Sequence, residues 1–442
     1  MTEPTVLVGG TYAVCPVCLK RLRGRRVRRK GGVYLERDCE QHGRFSTLVW
    51  RDRVDFAKWT KGAAKIGKDG NESCPHACGL CGAHLRDTCC TLLEVTQRCD
   101  LNTCAFCFAD KAEIFEEPSL KEIERQIEAL TRPGKTFLQL SGGEPTVRED
   151  LPEIVRIARR ASCKYVQLNS NGLRIAEDEA FVAALAEAGL SFVFMQFDGT
   201  DDDIYTRLRG KPLFEEKKRA IERCARHGIG VTLVPTLVRG VNDRSIADIL
   251  RFAVANAPAV RGVHFQPVCY LGRIPNGPTD DARYTLDELI AEVQDQAGDL
   301  LQGAELLPSC CDHPLCGFHA DFVVLEDGTL YPLHRTAAPA ASNCCCADPA
   351  ERNREFVGRR WERKKTAAGS KKARQADIGD MDYFLERVAT HAFTITAMAF
   401  QDAGNLDLER LRSCSLHVFR DGRMIPFCAN YLTPPGRFIE GR

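Results

Sequence analysis

Residues 98–109 read Arg-Cys-Asp-Leu-Asn-Thr-Cys-Ala-Phe-Cys-Phe-Ala and follow the apolar run Thr-Leu-Leu-Glu-Val-Thr at 91–96. Three cysteines, Cys99, Cys104 and Cys107, therefore sit on one segment just past a predicted strand. Three thiolates on one loop suit three corners of a [4Fe–4S] cube. The remaining iron then has no protein ligand and can take a substrate or cofactor. Zinc at the same place would want a fourth protein ligand for a structural role, and no neighbouring residue is an obvious candidate.

From this segment outward, short apolar runs alternate with amphipathic ones. Strands are predicted over 92–96, 136–140, 165–169, 192–197, 230–235 and 262–266, and helices over 119–131, 149–161, 177–188, 215–227, 245–255 and 285–298. Repeated strand–helix units predict a parallel sheet with helices outside. Six units make most of a barrel and leave a gap. Ligands of such folds bind at the C-terminal strand ends, and polar motifs fall there. The second strand runs into Ser141, Gly142, Gly143, Glu144 and Pro145; the third ends in Asn169, Ser170, Asn171 and Gly172. The fourth ends in Gln196, Phe197, Asp198 and Gly199, and the sixth in Gln266 and Pro267. Paired glycines expose backbone, and the Glu144 carboxylate can accept an ammonium group.

The 442-residue chain has a formal net charge of +1, with 44% hydrophobic and 27% charged residues. That balance excludes a wholly disordered or fibrous protein. A near-zero charge argues against a whole-chain polyanion binder. No apolar run is long enough for a membrane-spanning helix. Residues 1–10 show no basic segment ahead of an apolar run, so no secretory signal and a cytoplasmic location are expected. There, 22 cysteines point to metal or redox chemistry rather than disulfides.

Cys15, Cys18, Cys39 and His42 pair two knuckles around one ion, zinc or a rubredoxin-like iron. Between the knuckles lie Arg21, Arg23, Arg25, Arg26, Arg28 and Arg29, which read as an anion-binding loop or as a solvated hairpin face. Cys74, Cys78, Cys81 and Cys89 suit a closed auxiliary cluster, with Cys90 competing for the last position. Cys316, Cys414 and Cys428 suit another, completed by Cys311 or Cys310. Cys344, Cys345 and Cys346 have no assignment, and Cys163, Cys224 and Cys269 read as small buried hydrophobes. A basic, helical stretch follows, with Arg359, Arg360, Arg363, Lys364, Lys365, Lys371, Lys372 and Arg374 around the linker-like Gly369 and Ser370. The chain thus divides into 1–60, 70–90, 91–300 and 301–438, and residues 439–442 read as an appended protease-recognition tail.

Together these motifs resemble the radical S-adenosylmethionine (SAM) enzymes. The resemblance implies an α/β fold, a partial (β/α)6 barrel with an N-terminal zinc-ribbon or rubredoxin-like extension and a cysteine-rich C-terminal one. It implies that SAM chelates the open iron and is cleaved by one electron to a 5′-deoxyadenosyl radical, which abstracts hydrogen from an unactivated carbon. Gly142, Gly143 and Glu144 would hold the methionine amino end, and Phe106 would lie by the adenine. Asn169, Ser170, Asn171, Gln196, Asp198, Gln266 and Pro267 would border the rest of the nucleoside. The family's usual spacing is Cys-x-x-x-Cys-x-x-Cys. It stands here at Cys74, Cys78 and Cys81, whereas one extra residue separates Cys99 from Cys104. The Cys99 set is taken as the SAM site because a strand precedes it and Glu144 follows one strand–helix unit later.

Further stretches, among them residues 74–81, 231–243, 311–316 and 423–428, resemble the tetraether lipid synthases and class D radical methylases. That subgroup implies carbon–carbon bond formation on a lipid-like substrate, one or two auxiliary [4Fe–4S] clusters and a flavodoxin- or ferredoxin-type electron donor. It also implies a hydrophobic or small-molecule substrate, peripheral membrane contact and no nucleic-acid partner. Lipid coupling predicts an apolar tunnel with a basic rim. Radical methylation of a small molecule or peptide predicts a compact polar pocket. A non-enzymatic zinc-ribbon nucleic-acid binder would leave residues 141–145 without a purpose.

Overall fold

The computed structural model describes residues 6–61, 74–75, 79–109, 116–274, 277–309, 311–333, 351, 354, 358 and 381–433. Cys78, Cys310, Cys344, Cys345, Cys346, the basic stretch over 359–374 and residues 439–442 lie outside the described residues.

The N-terminal extension is a four-stranded antiparallel sheet of β1 (Val6–Val14), β2 (Arg21–Arg29), β3 (Gly32–Cys39) and β4 (Gly43–Trp50). Cys15 and Cys18 follow β1, and Cys39 and His42 flank the turn into β4. The arginine-rich run is therefore strand β2, not a loop, and most of its charges are answered within the fold. Arg25 and Arg29 pair with Glu36, and Arg28 pairs with Asp52. Arg26 is buried and donates to Asp407 from Nε at 2.8 Å and Nη2 at 2.6 Å, and also to Glu409.

The core sheet carries the predicted strands as β5 (Cys90–Thr96), β6 (Phe137–Gly142), β7 (Tyr165–Ser170), β8 (Phe192–Gln196), β9 (Gly230–Val234), the short β10 (Thr236–Leu237) and β11 (Val260–Pro267). They pair in parallel in the order β5-β6-β7-β8-β9-β11, with β10 against β11. Helices cover the outside through one apolar stripe each. Leu120–Leu130, for example, buries Ile123, Ile127 and Leu130, and Leu151–Arg160 buries Leu151, Ile154, Val155 and Ile157. A further helix at Asp202–Arg209, not among those predicted, is capped by Asp201, whose side chain accepts from Asp203 N.

The C-terminal part does more than extend the barrel. After β12 (Leu307–Pro308), β13 (Gly317–Val324) and β14 (Leu330–Pro332), the strands β15 (Ala392–Met398) and β16 (Leu416–Arg420) both join the sheet. β15 runs parallel to β11, and β16 runs parallel to β5. Two strands from one distant segment thus add to both edges, so eight parallel strands line the lumen. β13 pairs antiparallel outside β15, and β17 (Arg423–Pro426) pairs outside β16.

The ribbon docks through buried polar contacts. Besides the Arg26–Asp407 pair, Thr11 Oγ1 donates to Asp407 at 2.7 Å, and the Asp287 carboxylate accepts from Arg51 N and Arg53 N at 2.9 Å each. Asp407→Ala would leave a buried guanidinium without this partner. A broken buried pair costs about 3–5 kcal/mol. The expected outcome is an unfolding free energy lower by that much, read as a lower urea midpoint with the slope retained; an unmoved midpoint would show that this contact does not hold the ribbon.

Candidate active site

The cysteine loop begins where β5 ends and is held from several sides. Gly143 N donates to Thr96 O at 2.9 Å, and Glu144 N donates to Arg98 O at 2.8 Å. This approach requires glycine. A Cβ on Gly142, whose φ is +129°, would lie 1.9 Å from Thr96 O, and one on Gly143 would lie 2.3 Å from Arg98 O. Farther along, Ala105 N donates to Leu208 O at 2.9 Å, and Cys107 and Arg273 exchange backbone hydrogen bonds of 3.0 and 2.9 Å. Leu101 N donates to the Cys99 sulfur at 3.4 Å. Cys99, Cys104 and Cys107 all line one cavity of about 380 Å³ inside the barrel. Burial pushes the Cys99 thiol up to about 12, a penalty that ligation to a cation offsets.

Spacing separates this loop from a single-ion site. Among the described residues, only Cys15, Cys18, Cys39 and His42 bring three or more Cys, His, Asp or Glu donors within 4.8 Å of one another. His42 Nδ1 lies 3.6 Å from the Cys15 sulfur and 3.5 Å from that of Cys39. Tetrahedral zinc bonds predict about 3.6 Å for such a pair and about 3.8 Å between sulfurs. The ribbon ligands therefore fit one ion. The sulfurs of Cys99, Cys104 and Cys107 do not all lie within 4.8 Å of one another.

Glu144 organises the strand ends. Its buried carboxylate accepts from Thr146 N at 3.1 Å, Thr146 Oγ1 at 2.7 Å, Ser170 Oγ at 2.9 Å and Asn171 N at 2.6 Å. Burial raises its pKa and these donors oppose the rise. The side chain is thus committed to the scaffold, and what it presents to the cavity is the backbone of Gly142 and Gly143. Asn171 is committed likewise: Nδ2 donates to Asp100 at 2.6 Å and Oδ1 accepts from Leu173 N at 2.9 Å. Asp100 lies inside the cysteine loop, so β7 is tied to that loop.

Phe106, Gly142, Gly143, Glu144, Asn169, Ser170, Asn171, Gln196, Gln266 and Pro267 all line the cavity. Asp198 does not. It is buried behind the wall, accepting from Arg209 Nε at 2.7 Å, Arg209 Nη2 at 2.9 Å and Thr236 N at 3.1 Å. Burial raises its pKa, but the Arg209 guanidinium brings the net shift below the usual carboxylate range. The expectation that Asp198 borders the nucleoside is corrected: it positions Arg209, which does line the cavity. Behind the same wall, buried Lys217 donates to Asn171 O and, at 3.4 Å, to Gln196, and burial lowers its pKa to about 8.

Sequence reading missed the deeper lining. Gln139, Gln167, Phe194, Val234 and His264 each lie two residues before a strand-end residue, on the same face of their strands. Period-two spacing from Ser141, Asn169, Gln196, Thr236 and Gln266 is the signal that would have found them. Cys269, read as a packing thiol, also lines the cavity, whereas Cys163 and Cys224 are buried core residues.

The cavity also meets Cys89, Cys90, Cys311, Asp312, Ser415 and Phe427. Cys90 donates to Gln139 Oε1 at 3.2 Å, and Cys311 donates to Asp312 at 3.2 Å. Cys316, Cys414 and Cys428 are sunk in the fold near Asp312; burial raises each pKa, and their mutual proximity adds to the rise at Cys414 and Cys428. Cys74 packs on the group containing Phe427 and Cys428, and Cys81 follows it, partly buried.

Residues 93–253 match the Radical SAM superfamily, and residues 7–51 match the HMPTM N-terminal zinc ribbon domain. The 7,8-dihydro-6-hydroxymethylpterin dimethyltransferase of Methanocaldococcus jannaschii is 32% identical over 473 aligned residues, which take in 95% of this chain and 92% of that protein. The chain belongs to the radical SAM superfamily. The probable GTP 3′,8-cyclase of Pyrococcus abyssi is 32% identical over 166 residues, 36% of this chain and 51% of that protein. Among solved structures, Streptococcus suis SuiB bound to S-adenosylmethionine overlaps with a TM-score of 0.40 at 15% identity, over 50% of this chain and 49% of that one. As a radical SAM enzyme the chain works with a [4Fe–4S] cluster and SAM, and no helix among the described residues is long and apolar enough to cross a membrane.

The loop fits that cofactor: three thiols and the Gly142–Gly143 backbone line one cavity. Two outcomes follow. Cys104→Ser is expected to abolish formation of 5′-deoxyadenosine by the anaerobically reconstituted protein, while Cys81→Ser retains it; the reverse would move the SAM site to residues 74–81. Glu144→Gln places an NH2 against one of four donors and is expected to cost about 1–3 kcal/mol of stability, measured by urea denaturation; unchanged stability would mean that the carboxylate is not the tie described.

Proposed function

We propose that this radical SAM enzyme methylates a pterin-like heterocycle. The observation that carries the reading is similarity over 95% of the chain to a protein named as a 7,8-dihydro-6-hydroxymethylpterin dimethyltransferase. The lumen supports it. A cavity of about 380 Å³ is the scale of a small-molecule site, and amides and an imidazole project into it from Gln139, Gln167, Asn169, Gln196 and His264. Phe137 and Phe194 also line it, and Tyr165 and Phe192 pack with them. The lining mixes these amides with apolar side chains such as Leu92, Leu271 and Phe400, and nothing in the described residues or the relatives supports lipid-tail coupling.

Bound at Cys99, Cys104 and Cys107, the cluster would supply the electron that converts SAM to a 5′-deoxyadenosyl radical. The chain's own residues would set the stage. The Gly142 and Gly143 backbone would receive the methionine amino end, and Phe106, Asn169, Gln266 and Pro267 would flank the nucleoside. Arg209, fixed by Asp198, would offer a cation to a carboxylate. Cys311, Cys316, Cys414 and Cys428 would hold an auxiliary cluster, and Cys74, Cys78, Cys81 and Cys89 would hold a second. A flavodoxin- or ferredoxin-type protein would deliver electrons.

The test is anaerobic incubation of reconstituted protein with reductant, SAM, a methyl donor pool and 7,8-dihydro-6-hydroxymethylpterin. Mass spectrometry is expected to find a pterin carrying one or two added methyl groups, with 5′-deoxyadenosine rising in step. Release of 5′-deoxyadenosine that pterin does not stimulate, with the pterin recovered unmodified, would rule the reading out.

A further inference from the structure

Gln139 and Gln167 are register partners across β6 and β7, and both line the cavity one layer below Ser141 and Asn169. Neighbouring strands are ~4.8 Å apart, so two amides stand side by side on one wall. Each is oriented by a neighbour. Gln139 Oε1 accepts from the Cys90 thiol at 3.2 Å, which leaves its Nε2 for the lumen. Gln167 Nε2 donates to Asn169 Oδ1 at 2.7 Å, which leaves its Oε1. Asn169 in turn donates to Ser141 Oγ at 3.4 Å, so the chain of amides has one direction. Neither Gln139 Nε2 nor Gln167 Oε1 has a hydrogen-bond partner among the described residues, and neither is sealed from the cavity. The wall therefore offers one donor beside one acceptor.

Such a pair is complementary to a 2-amino-4-oxopyrimidine edge, where a ring carbonyl accepts and the amino group beyond the intervening ring N–H donates. Phe137, two residues before Gln139, and Phe194, the register partner of Asn169, also line the cavity. So does His264, whose ring lies 5.0 Å from that of Phe194 and whose Nδ1 is 2.8 Å from Thr396 Oγ1. We propose that Gln139 and Gln167 together read the pyrimidinone edge of the substrate ring, Gln139 donating to its carbonyl and Gln167 accepting from its amino group. This rests on the pterin reading and adds the residues that would confer it. It also explains why the Cys90 thiol, adjacent to a candidate cluster ligand, turns into the lumen instead: it holds the Gln139 amide the right way round.

Equilibrium dialysis of the reconstituted holoprotein under anaerobic conditions tests this without turnover. The probes are 6-hydroxymethylpterin and its lumazine counterpart, in which oxygen replaces the amino group. Wild-type protein is expected to bind the pterin at least about tenfold more tightly than the lumazine, since one mispaired hydrogen bond in a closed site is worth about 1.4 kcal/mol or more. Gln139→Leu and Gln167→Leu are each expected to weaken pterin binding about tenfold; Gln167→Leu also erases the preference, whereas Gln139→Leu keeps it. Gln139→Asn and Gln167→Asn retain a polar group and serve if a leucine variant fails to fold; they are expected to weaken binding in the same direction. Variants with unchanged iron content that bind pterin as wild type does would overturn the edge assignment alone. Wild-type protein that binds no pterin would overturn the pterin reading and the edge assignment with it.

Discussion

The carboxylate of Glu144 is the tie on which the site depends. Four donors from two strand ends converge on it. The glycines just before it bring the backbone of β6 against that of the cysteine loop. Asn171, held by the same carboxylate, then reaches Asp100 within that loop. One buried charge thus links two strands and the three thiols. Its desolvation is tolerable because the donors are all in place. A short cysteine loop on its own would have no such definition, for loops lack the repeating hydrogen bonds that fix strands.

The second constraint is closure of the barrel. Six parallel strands leave two exposed edges, which invite pairing. Here the C-terminal segment supplies a strand to each edge, with β15 beside β11 and β16 beside β5. The same segment carries Cys414 and Cys428 and presents Asp407 and Glu409 to Arg26 of the ribbon. Sheet completion, cysteine placement and ribbon docking are therefore coupled. Mutations in any of these three regions act on one packed unit, where neighbouring effects do not add.

The lumen gives the fold its chemical character. Residues two apart on a parallel strand face the same way, so the barrel is lined in layers. The strand-end layer is polar and shared with the cysteine loop, and beneath it the lumen mixes the amides of Gln139 and Gln167 and the His264 ring with the aromatic rings of Phe137 and Phe194. Four of the six arginines of β2, by contrast, spend their charge on Glu36, Asp52, Asp407 and Glu409, which weakens the case for a polyanion at the ribbon.

The sequence by itself determined the six strands, the helices between them, the loop with three thiols, the strand-end motifs and the ion site of Cys15, Cys18, Cys39 and His42. Each is a local pattern of apolar period, glycine placement or ligand spacing, readable without knowing what lies across the fold. Only the tertiary structure decided that β15 and β16 complete the sheet, that Asp198 faces Arg209 instead of the cavity, that Glu144 is spent on its own scaffold and that Gln139 stands beside Gln167. Those depend on which residues meet across hundreds of positions of chain, where hydrogen-bond partners and burial are settled by register and packing, and no local pattern encodes them.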